Sequence, residues 1–70
     1  MESKEYYETA RQKLFNMVNR YNSEIEEMEK TGKLEGRNVT KGDIQASKEM
    51  RAQRLNKINK ITTDLKRFYG

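Results

Sequence analysis

A chain of 70 residues allows one small domain, and at that size a single core is marginal unless a staple or a partner supports it. The chain has no cysteine and no histidine, which excludes disulfides, thiolate–zinc sites and cysteine nucleophiles and removes the commonest general base and metal ligand. Charged residues make up 37% of it and apolar residues 33%, with a net charge of +4; this balance lies close to that of disordered chains, so periodicity has to decide whether the chain folds.

The first apolar series is Tyr7, Leu14, Val18, Tyr21, Ile25 and Met28. From Leu14 onward it steps by four, three, four and three, the rhythm of a helix packed along a seam with a neighbour. Ala10, Phe15 and Met17 widen the stripe. Ser3 suits an N-cap and Gly32 suits the left-handed residue that ends a helix. The spacing predicts a first helix over about residues 4–31.

Residues 32–39 contain two glycines and no periodic pattern, and read as a connection in which Leu34 and Val39 plug the end of a hairpin. Thr40 with Asp43 three residues later resembles a capping box, with Asp in place of the usual Glu. A second helix is predicted over about residues 41–67, with Ile44, Leu55, Ile58, Ile61, Leu65, Phe68 and Tyr69 as its apolar series. Ser47 and Arg51 fall where apolar residues belong, so a break near Ser47, giving three helices, is the alternative to one continuous helix.

The expected fold is therefore all-α, an antiparallel two-helix hairpin in a single domain, 1–70. Loop-centred pairing sets Ile44 near Met28, Ile58 near Leu14 and Leu65 near Tyr7, and places Glu24 and Glu27 near Arg51 and Lys48. Phe15, Met17, Ile61 and Phe68 remain at the hairpin's flank as a candidate protein interface. Covering them calls for self-association, a homodimer in the simplest case, or for a larger partner.

Charge is unevenly placed. Residues 1–31 carry seven acids and five bases, whereas residues 32–70 carry ten bases and four acids. Lys48, Arg51, Arg54, Lys57 and Lys60 recur every three residues and are the candidate surface for nucleic acid or an acidic partner. A three-residue step drifts by about a sixth of a turn, so the five spiral around the helix, and the competing reading is a solvated face with the acidic end of helix 1 beside the basic start of helix 2. Asn16, Asn19, Asn22, Asn56, Asn59, Gln45 and Gln53 suit either adenine readout or an ordinary polar face. Tyr6-Tyr7 and Phe68-Tyr69 are expected to meet at the open end. There, core packing with the phenols reaching water competes with base stacking or an anchoring contact. Arg11 lies on the seam, with Asp64 or solvent as the destination of its guanidinium.

No phosphate-binding glycine loop, nucleophile elbow or metal-ligand cluster is present, so no enzyme activity and no cofactor is expected. The longest apolar runs are pairs such as Leu14-Phe15 and Met17-Val18, and the start Met1-Glu2-Ser3-Lys4-Glu5 has no apolar stretch behind it. Neither a membrane span nor a secretory leader is expected, and the location implied is cytoplasmic.

The stretch Val18-Asn19-Arg20-Tyr21-Asn22, followed by Glu24-Ile25 and Met28-Glu29-Lys30 before Gly32, resembles the DNA-associated N-terminal helical segments of bacteriophage terminal proteins and other short phage-encoded helical factors. The likeness covers roughly residues 6–32. It implies a phage accessory protein, acting inside the host cell on DNA, a viral assembly or a host defence complex, and no functional residue is carried over from it. Three expectations follow for function: a non-enzymatic helical module docking on a protein or nucleoprotein complex, as an inhibitor does; direct, mostly sequence-independent DNA or RNA binding; and a structural oligomeric bundle.

Overall fold

A computed structural model describes residues 3–70, leaving Met1 and Glu2 outside the described residues. It is a two-helix hairpin. Helix α1, Lys4–Thr31, and helix α2, Lys41–Tyr69, run back to back as a rod of 45 × 16 × 16 Å. Between them lie two short strands, β1 (Lys33–Leu34) and β2 (Arg37–Asn38), paired antiparallel.

Local chemistry sets each boundary. The Ser3 hydroxyl accepts from the Tyr6 amide at 3.1 Å and starts α1. Gly32, at φ 69°, ends it, its amide donating to the Met28 carbonyl at 2.9 Å. α2 opens on a reciprocal capping box: the Asp43 amide donates to the Thr40 hydroxyl at 3.2 Å, and the Thr40 amide donates to the Asp43 carboxylate at 2.9 Å. Thr40→Ala removes one of these partners and is expected to lower stability by about 1 kcal/mol. Thermal melting followed by circular dichroism reads this as a fall of about 4–8 °C in Tm, and an unchanged Tm would show that the box contributes nothing.

The connection is more ordered than a patternless loop. Glu35 and Gly36 form a two-residue turn, both with positive φ (50° and 79°), between the paired residues Leu34 and Arg37. The Val39 amide extends the pairing by donating to the Gly32 carbonyl at 2.9 Å. Two-residue hairpins favour this mirror-image turn because its twist matches that of the strands, and Asn tolerates its first position far better than Glu. Glu35→Asn is accordingly expected to raise stability by roughly 0.5–1 kcal/mol. Chemical denaturation checks it, and a midpoint that falls or stays put contradicts the turn assignment.

α2 is continuous through Ser47, which settles the alternative of three helices, and it ends at Tyr69 rather than near Arg67. The buried core is small: Val18, Ile25 and Met28 from α1, Ile58 and Leu65 from α2. On α1 these fall into a heptad pattern with Arg11, Val18 and Ile25 in one series and Tyr7, Leu14, Tyr21 and Met28 in the other. On α2 the matching series are Ile44, Arg51, Ile58, Leu65 and Ser47, Arg54, Ile61, Phe68. The 14 residues from Ile44 to Ile58 span about 21 Å of helix, and that stretch offers the seam a half-buried Ser47, Lys48, Arg51 and Arg54 with only Met50 as a half-buried apolar residue. The seam is therefore apolar at both ends and polar on one side in the middle.

Candidate interaction surface

Three polar contacts between the helices hold one flank of the seam. The Arg11 guanidinium donates to the Thr62 hydroxyl at 3.2 Å, and the Arg51 guanidinium donates to the Asn22 carboxamide oxygen at 2.9 Å. Nearer the turn, the Lys48 ammonium sits 3.6 Å from the Glu29 carboxylate. The register that the two guanidinium pairs define is one residue from the loop-centred pairing. The partners themselves differ from expectation. Asp64 lies two positions from Thr62, about 200° around the helix, so it sits on the far flank and Arg11 finds the hydroxyl instead. The same geometry separates Glu24 from Asn22: Glu24 pairs within its own helix with Arg20, at 3.2 Å, and leaves Arg51 to the amide.

The opposite flank carries few such links. Met17, Arg20, Tyr21 and Glu24 of α1 form an open groove with Arg54 of α2. Towards the open end, Tyr6, Thr9, Ala10, Lys13 and Leu14 continue the same side. Ile61 and Phe68, seven residues apart, lie on one face of α2, in the series that includes Arg54. The exposed large apolar side chains are Tyr6 at 56%, Met17 at 44% and Phe68 at 49% on this flank, with Phe15 at 41% and Leu55 at 40% elsewhere. At the open end Tyr7 stacks at a tilt on Tyr69, ring centres 6.2 Å apart, and meets Tyr6 edge-on at 5.8 Å. The Arg67 guanidinium lies 5.6 Å from the Phe68 ring centre.

The four residues predicted as one apolar flank are thus divided. Phe15 and Met17 are two positions apart on α1 and point about 200° apart; Met17 shares its side with Ile61 and Phe68, and Phe15 stands on the other. Ile61 is half-buried rather than exposed. Tyr6, which the sequence suggested only as part of an aromatic end, is the most exposed large apolar side chain of the described residues.

The five bases are likewise not assembled into one surface. Lys48 is engaged with Glu29, Arg51 with Asn22, and Arg54 is half-buried beside Glu24 in the groove. Lys57 and Lys60 are exposed. Among the described residues no cluster of His, Cys, Asp or Glu is placed to hold a metal ion, no polar or charged side chain is buried, and no helix is long and apolar enough to cross a membrane. No known family, no curated protein and no solved structure matches this chain.

Proposed function

We propose that this chain is a non-enzymatic helical module that works by docking protein on protein along the Tyr6–Met17–Phe68 flank. One observation carries the reading: three of the five exposed large apolar side chains, Tyr6, Met17 and Phe68, share one flank, with Phe15 and Leu55 outside it, while three of the five bases are engaged in the hairpin's own seam and groove. A protein interface draws its affinity from a few desolvated aromatic and aliphatic anchors, and Tyr6, Met17 and Phe68 are side chains of that kind. A phosphate-tracking surface needs its cations free and in a row; Lys57 and Lys60 alone are a weak version of it. An accessory or inhibitory role inside a phage-infected cell, which the sequence resemblance implies, belongs to this class, since such a module acts by covering a surface and needs no catalytic group.

Fluorescence anisotropy with labelled duplex and single-stranded oligonucleotides, titrated between 50 and 200 mM salt as about a fourfold range, tests the choice. A protein neutralising several phosphates loses affinity steeply over such a range. The expected outcome is weak binding whose salt slope corresponds to no more than about two phosphates, removed by Lys57→Ala with Lys60→Ala and indifferent to Met17→Glu. Tight binding with a slope near five would reverse the reading in favour of nucleic acid.

A further inference from the structure

The apolar flank is part of a larger imbalance. The chain exposes 5535 Å², whereas a compact monomer of 8.4 kDa exposes about 4600 Å². Its radius of gyration is 15.3 Å against about 11 Å for a globular chain of this length. The excess of about 900 Å² is close to the roughly 800 Å² that each partner contributes to a stable protein–protein interface. A hairpin rod is half of a four-helix bundle, and a second rod laid along one flank removes such an excess. The two flanks are not equivalent. The side carrying Arg11–Thr62, Asn22–Arg51 and Glu29–Lys48 is laced with polar links, and covering it would strip water from those charges. The side carrying Tyr6, Ala10, Leu14, Met17, Ile61 and Phe68 holds three of the five exposed large apolar side chains, with Lys13, Arg20, Glu24 and Arg54 beside them, whereas the laced side holds the other two, Phe15 and Leu55.

Charge sets the direction. Along this flank Lys13 lies towards the open end, Met17 and Tyr21 follow, and Glu24 lies towards the turn. Two copies in parallel, about a two-fold axis along the rod, would set α1 of each against α2 of the other, bringing Lys13 to the level of Lys57 and Lys60 and Arg20 to that of Arg54. Two copies in antiparallel order, about a two-fold axis near Met17 and Tyr21, set each Lys13 opposite the other copy's Glu24. We propose that the occupant of this flank is a second copy of the chain, in antiparallel order, and that the working unit is a four-helix bundle. The inference rests on the protein-docking reading above and names its partner.

Light scattering on the eluting chain, and sedimentation over a hundredfold range of concentration as an order of magnitude, give the mass directly. The expected mass is twice 8.4 kDa. Met17→Glu is expected to weaken association about 100-fold, because a central apolar anchor is replaced by a carboxylate that the interface must desolvate, whereas Phe15→Glu on the other flank leaves it unchanged. Spin labels on Thr9→Cys, in an otherwise unchanged chain, report the direction without depending on the folding of Met17→Glu. Antiparallel copies hold the two labels about 30 Å apart along the bundle, and parallel copies bring them within roughly 10–15 Å. A wild-type chain that stays monomeric throughout overturns the second copy and leaves protein docking to be judged by the oligonucleotide titration. A dimer broken by Phe15→Glu and not by Met17→Glu overturns both readings, since it moves the interface to the other flank. A dimer with closely spaced labels overturns the antiparallel order.

Discussion

Replacing Ile25 by alanine is expected to abolish cooperative folding at 25 °C. Ile25 is 3% exposed and is one of five buried apolar residues in the described chain. Cutting a buried isoleucine to alanine removes about 2–5 kcal/mol, the sum of lost transfer energy and an unfilled cavity. A chain of this length with so short a core has roughly 3–5 kcal/mol to lose. The loss cannot be absorbed by repacking, because the opposing stretch of α2 offers Ser47, Lys48 and Arg51 where a relaxing core would need apolar groups. Circular dichroism at one fixed concentration, with Phe15→Ala as the comparison, checks it. Phe15 is 41% exposed, and its truncation should cost less than about 1 kcal/mol. If Ile25→Ala melts cooperatively within a few degrees of the parent, the core does not lie where the structure puts it.

The helix ends were legible in the sequence because the signals that set them are local. Ser3, Gly32 and the Thr40–Asp43 pair each act within four residues, and the hydrogen bonds they make are the ones their side chains and φ preferences predict. The strand pair was hidden because its turn begins with Glu35, a residue that seldom takes positive φ, in place of the Asn or Asp that normally announces such a hairpin; Gly36 was the one signal present. Leu55 was the opposite failure. An apolar residue three before Ile58 looks like seam, yet Arg54, four before it, takes the half-buried place and Leu55 stays in solvent. The spacing 51, 54, 58, 61, 65 on α2 decides this, since Ile58, Ile61 and Leu65 fix the seam's phase and Leu55 falls outside it. The division of Phe15 from Met17 needed only the angle between positions two apart. The partners of Arg11 and Arg51 depended on which flank each side chain leaves by, and that is set by the packing of both helices together, which one-dimensional spacing does not contain.

Arg51→Leu is expected to stabilise the hairpin, by about 1–2 kcal/mol, and to raise Tm by roughly 4–8 °C for each of them. On α2 the positions seven apart are Ile44, Arg51, Ile58 and Leu65, so leucine completes an apolar series that the arginine interrupts. What is lost is small. The bond from Arg51 to Asn22 lies in an exposed setting, where such contacts contribute about 0–1 kcal/mol and where water satisfies Asn22 once the guanidinium has gone. The same change removes one of the five bases, so it separates the two readings of α2 in a single variant. If α2 tracks phosphate, Arg51→Leu weakens oligonucleotide binding and lowers the salt slope by about one. If Arg51 belongs to the seam, binding is unaffected and only stability moves. The arginine's persistence in a seam that leucine would strengthen has a physical use: Arg11 and Arg51 each reach a neutral acceptor on the facing helix, at 3.2 and 2.9 Å, and polar residues at seam positions fix register at a cost in stability. An Arg51→Leu chain should therefore melt higher and tolerate slipped pairings, visible as doubled or broadened amide resonances for residues 18–25. A variant that melts lower than the parent would show that the middle of the seam is held by the Arg51–Asn22 contact rather than weakened by it.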